Sequence, residues 1–235
     1  MRSYVAYALL RTIKFLSSLF YTLESDWVGD PPEDRWEGIR LVVFLNHTSL
    51  FEPLYAMVCP NGFLKRIGWN GVVPAADKTL RRPLVGWLFR FVARHVVSIT
   101  RERDHTWHAV LERIGEDSMV IILPEGRMMR RNGLDSHGRP MTVRGGIADI
   151  LREIDEGRML VAYSGGLHHV QAPGEWRVGV FKTIRIRLEL LEVSEYRQEL
   201  DGDSLSHDEF KSRVKEDLEK RRDLHCPRTP ETSPL

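Results

Sequence analysis

The chain has 235 residues, with 34 Lys and Arg against 33 Asp and Glu and a formal net charge of +1. That length suits one large α/β domain with a substantial core and is too short for two comfortable ones. The near-balanced charge, with no basic stripe carrying interleaved aromatics, argues against nucleic acid as a partner. Cys59 and Cys226 lie far apart and form neither a metal-ligand nor a disulfide pattern, which is compatible with a reducing compartment.

The run from Tyr4 to Leu23 is apolar and aromatic, but Arg11 and Lys14 sit in its middle. Two cations near a bilayer centre are costly, so this stretch reads as an amphipathic helix lying in a membrane interface, with a domain boundary near residue 24, rather than as a spanning helix. No small-residue cleavage site follows, so a signal peptide is not expected. Residues 24–38 hold Gly29-Asp30-Pro31-Pro32 and read as a loop. From there short apolar runs alternate with helical stretches. Strands are expected at 41–45, 71–74, 95–100, 119–123, 159–163 and 183–193, and helices at 53–59, 81–92, 105–115 and 143–155.

That alternation predicts an α/β fold in which a mixed, largely parallel sheet is flanked by helices, as one domain over 25–200. The run 183–189 alternates with period two and is expected at an edge or half exposed. Residues 201–235 are read as a charged helix over 206–222, with Phe210, Val214 and Leu218 as its narrow apolar stripe, and a disordered tail.

Asn46-His47-Thr48-Ser49-Leu50-Phe51-Glu52 follows the apolar run 41–45 and delivers a histidine and a carboxylate where a buried strand ends. On a continuous helix, positions five apart point about 140° away from each other, so His47 and Glu52 can pair only if a turn separates them. Ser49-x-x-Glu52 also fits a capping box, which would leave Glu52 no chemistry. Pro53 would then fall at the fourth helical position, where its missing N–H breaks the first backbone bond, so a helix starting at Pro53 with Glu52 free is favoured.

A second run, Met119-Val120-Ile121-Ile122-Leu123, ends in Pro124-Glu125-Gly126-Arg127, followed by Arg130 and Arg131. Together the two constellations resemble the glycerolipid acyltransferase family, which contains the lysophosphatidic acid acyltransferases. Ala76-Asp77-Lys78-Thr79-Leu80 leading to Pro83-Leu84-Val85-Gly86-Trp87, Val97-Ser98-Ile99-Thr100-Arg101 and Arg144-Gly145-Gly146 are similar to further blocks of that family, in order. The resemblance covers roughly residues 40–170. This chain departs from the pattern twice: Glu52 stands where the family carries aspartate, and the threonine usual after Gly126 is absent, so that Arg127 comes one place early.

The resemblance implies an enzyme that moves a fatty acyl group from an acyl thioester to the free hydroxyl of a lysophosphatidic acid-type glycerolipid, in phospholipid biosynthesis. His47 would be the general base and Glu52 its orienting partner. Asn46, Ser49, Lys78, Arg101, Glu125, Gly126, Arg127 and Arg130 would bind substrate, with Arg101, Glu125, Gly126 and Arg127 forming the acceptor phosphate site and either Arg127 or Arg130 as the motif's cationic partner. The chemistry agrees with that assignment. A thioester is already activated, so the reaction needs a base and no covalent nucleophile, and an imidazole with a pKa near 6.5 serves at working pH.

No cofactor or metal is expected, with acyl-CoA or acyl-carrier protein as co-substrate. The partners are then a membrane surface, a lysophospholipid acceptor and the acyl donor, and the location is peripheral or monotopic on the cytoplasmic face. His168 and His169 lack the carboxylate or cysteine spacing of a metal site. Two other readings stand beside this one. Ser164 in Ala162-Tyr163-Ser164-Gly165-Gly166 approaches a nucleophile elbow, with Asp201 or Asp203 and His207 in hydrolase order. Alternatively, the altered motifs suit a non-catalytic lipid-binding or scaffolding protein of the same fold.

Overall fold

The computed structural model describes residues 1–81, 83–100 and 105–228; Arg101 lies outside the described residues. In chain order the elements begin with helix α1 (Arg2–Phe20), strand β1 (Tyr21–Trp27) and strand β2 (Ile39–Leu45). A short 3-10 helix (Glu52–Met57) follows, then α2 (Asn61–Asn70), β3 (Gly71–Ala76), α3 (Asp77–Leu80) and α4 (Pro83–Arg90). Next come β4 (His95–Ile99), α5 (His105–Leu111), β5 (Met119–Ile122), α6 (Gly146–Glu153) and β6 (Arg158–Ser164). The chain finishes with α7 (His168–Gln171), β7 (Lys182–Glu192), α8 (Val193–Glu199) and α9 (His207–His225).

The seven strands form one sheet in the order β1-β7-β6-β2-β5-β3-β4. From β6 to β4 all neighbours are parallel; β7 pairs antiparallel with β6, and β1 pairs parallel with β7. The expected single α/β domain with a mixed, largely parallel sheet is therefore the fold. Side chains alternate across β2, so Leu41, Val43 and Leu45 join a core with α5, α6, α8 and α9, while Val42 joins a second core with α1, the 3-10 helix and α2. Both faces are covered, which is why the central strands read as unbroken apolar runs.

Two expectations are corrected, one is met and one element is added. The stretch taken as a loop from residue 24 begins inside β1, an edge strand whose Glu24, Ser25 and Asp26 are exposed, so it carries no apolar signal. The period-two run in β7 is half exposed, one of the two placements expected for it, and β1 covers its outer side. The helix expected at 53–59 is a 3-10 helix that already includes Glu52. The chain at 61–70, to which no element was assigned, is α2, which packs so closely on α1 that a Cβ on Gly68 would lie 3.0 Å from the Ser3 carbonyl oxygen.

Helix α9 starts with a full capping box, Ser206 and Glu209 each accepting from the other's backbone N–H. Its stripe of Phe210, Val214 and Leu218 is fully buried in the main core, so α9 belongs to the same packed unit as the sheet. Phe210→Ala is therefore expected to destabilise the whole domain by about 3–5 kcal/mol, and Phe210→Leu by less than about 1.5 kcal/mol. Urea unfolding followed by circular dichroism checks this; a minor transition of α9 alone would show that the helix is an appendage.

Candidate active site

Strand β2 ends at Leu45, and Asn46 turns the chain with φ 65°, a left-handed conformation that asparagine adopts more readily than most residues. Its side-chain amide donates to the Ser164 carbonyl at the end of β6, at 2.8 Å. From the end of β5, the Glu125 carboxylate accepts from the backbone N–H of His47 at 2.7 Å and of Asn46 at 3.3 Å. The Glu125 side chain is only 1% exposed, and a buried charge needs compensation. Arg222 of α9 supplies it, donating from Nη1 to Glu125 Oε1 at 3.2 Å and to the Met141 carbonyl at 3.2 Å. Met129 N–H bonds the His47 carbonyl at 2.8 Å, and Thr48 Oγ1 accepts from Leu167 N–H at 2.6 Å.

Three neighbouring strand ends and one helix thus converge on a single loop. Gly126 follows Glu125 with φ +63°, and a Cβ there would lie 3.1 Å from Arg144 Cδ, so the motif glycine answers both a backbone and a space requirement. Arg144 in turn donates from Nε to the Glu125 carbonyl at 3.2 Å.

The loop so held sets His47 against Glu52, with Nδ1 and Oε1 2.7 Å apart and side chains 12% and 9% exposed. Glu52 opens the 3-10 helix and Pro53 sits next to it, in the first turn, where an N–H has no helical partner anyway. The capping box is not formed: Ser49 Oγ is buried without a hydrogen-bond partner among the described residues. Burial pushes the His47 pKa down from 6.5, but the charge of Glu52, its hydrogen bond and the charge of Glu125 outweigh burial, and the net direction is up. The contact with a carboxylate assigns the proton to Nδ1 and leaves Nε2 as the ring's acceptor.

The pair lines a cavity of about 1220 Å³. One part of it lies between the sheet face carrying Val42, Phe44, Leu160, Ala162, Ile186 and Leu188 and the covering layer of Leu10, Tyr55, Phe63, Leu64 and Ile67, and is apolar throughout. Elsewhere the lining carries five cations, Lys78, Arg127, Arg139, Arg144 and Lys215. Arg127 forms an ion pair with the buried Asp135, and its Nε is buried without a partner among the described residues. Burial would raise the Asp135 carboxyl, but the Arg139 and His137 backbone N–H groups and the Arg127 guanidinium hold it well below the usual carboxylate range.

Of the residues expected to bind substrate, Lys78, Gly126 and Arg127 line the cavity. Asn46, Ser49 and Glu125 are not in its wall: Asn46 and Glu125 fasten the His47 loop, and Ser49 is buried. Arg130 is exposed and outside the lining, so Arg127 is the motif arginine at the cavity. Arg139, Lys215 and Arg222 were not anticipated. Arg139 sits in a polar loop, and the other two lie in a charged helix whose residues look alike from sequence. Among the described residues no group of three or more His, Cys, Asp and Glu could hold a metal.

The hydrolase triad is not assembled. Ser164 is buried, its Oγ lies 2.8 Å from the Tyr55 hydroxyl, and His207 is engaged instead with Asp149 at 2.9 Å. Asp201 pairs with Arg213 and Asp203 with Arg197.

A sequence model of the family described as Acyltransferase matches residues 31–164, more than half of the chain. The chain belongs to the acyltransferase family. Among solved structures it is similar to the 1-acyl-sn-glycerophosphate (LPA) acyltransferase PlsC from Thermotoga maritima, with a TM-score of 0.57 and 17% sequence identity over 95% of this chain and 81% of that one. At that identity the likeness speaks for the fold. No curated protein sequence matches the chain.

Arg222 lies beyond the family-matched segment yet neutralises its glutamate. Arg222→Ala is expected to lower stability by about 3–5 kcal/mol, because it leaves the Glu125 charge buried and uncompensated. Arg222→Lys should recover part of that loss. Urea denaturation of both variants checks the order, and equal stability of Arg222→Ala and the parent would remove Arg222 from this role.

Proposed function

We propose that this acyltransferase moves a fatty acyl group from an acyl thioester to the free hydroxyl of a lysophosphatidic acid-type glycerolipid at a membrane surface. The observation that carries this reading is the His47–Glu52 pair, at 2.7 Å, in the wall of a cavity that is apolar in one part and cationic in another. At about 1220 Å³ the cavity exceeds the usual range of about 300–1,000 Å³ for a small-molecule site, which suits two substrates meeting in one space.

In this mechanism His47 Nε2 takes the proton as the acceptor hydroxyl attacks the thioester carbonyl. Glu52 keeps the imidazole in its Nδ1–H tautomer and stabilises the imidazolium. When the carbon–sulfur bond breaks, the leaving thiolate takes that proton back, so no covalent enzyme intermediate is needed. The acyl chain occupies the apolar part beneath α1 and α2. The acceptor phosphate meets the cations, of which Arg127 carries a planar fork suited to phosphate. The donor in this reading is acyl-CoA or acyl-carrier protein.

Helix α1 supplies the lipid-facing surface. Ala6, Leu10 and Ser17 are buried on one side, while Tyr4, Val5, Phe15, Leu16, Leu19 and Phe20 are exposed. Among the described residues no helix is long and apolar enough to cross a membrane. A peripheral or monotopic attachment agrees with this arrangement, and we place it on the cytoplasmic face as part of the proposal.

The test is purified full-length protein given labelled acyl-CoA or acyl-carrier protein and a panel of lysophospholipids including lysophosphatidic acid. Acceptor-dependent formation of the diacyl product is expected, and silence across the panel would favour a lipid-binding or scaffolding role. His47→Ala should fold normally and lose about 10²–10⁴-fold in turnover. The base works only when neutral, so the rate should rise with pH through an apparent pKa above 6.5. Glu52→Gln removes the charge that raises this pKa, and should move the limb to lower pH while lowering the plateau. An unmoved limb would show that another group titrates.

A further inference from the structure

We propose that the loop between α7 and β7, residues 172–181, is a second membrane-docking element that enters an anionic lipid bilayer beside α1. This rests on the reading of α1 as the lipid-facing helix. The first observation is where exposed apolar surface lies. Among the described residues, every exposed large hydrophobic side chain except Leu224 belongs to α1, to the residue before it or to this loop, where Trp176 is 82% and Phe181 76% exposed. Val178 and Val180 are exposed with them. Scattered single residues of this kind are ordinary; a concentration on two adjoining segments marks an interaction surface.

The two segments are continuous. Phe181 N–H donates to the Phe20 carbonyl at the end of α1 at 2.7 Å, and the two rings lie 5.9 Å apart between centroids. The loop is also held in shape rather than left free. Glu175 accepts from Arg131 at 3.0 Å and from the Ala172 N–H at 3.2 Å, and Gly179 N–H donates to the Val170 carbonyl at 2.7 Å. A Cβ on Gly179 would fall 2.5 Å from the His169 carbonyl oxygen, so only glycine allows that approach. Phe181 itself has φ 57°, a conformation a bulky residue rarely adopts and keeps only where its surroundings impose it.

Charge selects the occupant. Glu175, the loop's only acid, is occupied by Arg131, whereas Arg177 stacks over Trp176 at 5.1 Å and Lys182 follows the loop. Cations beside outward-facing Trp and Phe suit an interface whose headgroups are anionic and whose interior is apolar. Interfacial binding grows with buried apolar area and with attraction to anionic lipid, so the loop strengthens what α1 begins.

The experiment uses the full chain and vesicles of equal parts phosphatidylcholine and phosphatidylglycerol. The double variant Trp176→Ser/Phe181→Asn, in which asparagine accepts the left-handed backbone, should lose about tenfold or more in vesicle partition by flotation. Lipids brominated in the acyl chain should quench part of the parent's tryptophan fluorescence, and Trp176→Phe should abolish that part. Partition of the double variant within about twofold of the parent overturns the proposal, as does quenching that Trp176→Phe leaves unchanged. A double variant that only loses self-association in size exclusion assigns the patch to a second copy of the chain and overturns it too. Turnover of a soluble short-chain acceptor, unchanged in the double variant, shows that the fold is intact. If the parent turns over no acceptor but the double variant still leaves the vesicles, the docking proposal stands and the catalytic reading fails.

Discussion

The site depends on one buried carboxylate. Glu125 carries a full charge at a position almost closed to water, where desolvation is expensive, and it is tolerated only because three donors meet it: two backbone N–H groups and the Arg222 guanidinium. Those donors come from parts of the chain far apart in sequence, so the charge acts as a fastener between the β2 loop, the β5 end and α9. With both N–H groups engaged, the loop has little freedom, and the left-handed turn at Asn46 is held in place. His47 therefore reaches Glu52 as part of a preformed unit, which is what precise proton transfer requires.

The rest of the fold serves the same end. Five parallel strands bring the ends of β2, β5 and β6 side by side, the position at which open α/β sheets handle ligands. One sheet face is closed by α5, α6, α8 and α9, and the other supports the apolar part of the cavity under α1 and α2. Beside Glu125, a second polar cluster binds α9 to the sheet, where Arg221 joins Glu189 and Asp217 at 2.7 Å each and Tyr196 donates to the same Asp217 at 2.8 Å. The C-terminal helix is thus attached by apolar packing and by charge.

Much of this was legible in the sequence. Continuous apolar runs betrayed the central strands because both faces of the sheet are buried, and Pro53, which disfavours the alternative cap, left Glu52 free to pair with His47 as the family resemblance implied. What escaped did so for physical reasons. Strand β1 hides its identity because an edge strand facing water needs no apolar alternation. Helix α2 is short and carries Gly62 and Gly68, the second of which serves the contact with α1 rather than helix propensity. Arg222 stands in a run of charges that local pattern cannot rank, since its importance comes from a partner 97 positions away. Exposure of the 172–181 loop was equally hidden, because apolar residues in a short segment read the same whether they face the core or the solvent.

Helix α1 passes into β1 without a linking residue, Phe20 and Tyr21 being consecutive. Helix and sheet edge are therefore one lever, and with α1 and the 172–181 loop resting on lipid as proposed, the height and tilt of His47 above the bilayer plane are set by those two elements together. Under that proposal an acceptor held in the leaflet meets the protein in a two-dimensional search, governed by its mole fraction in the leaflet rather than by its concentration in bulk water.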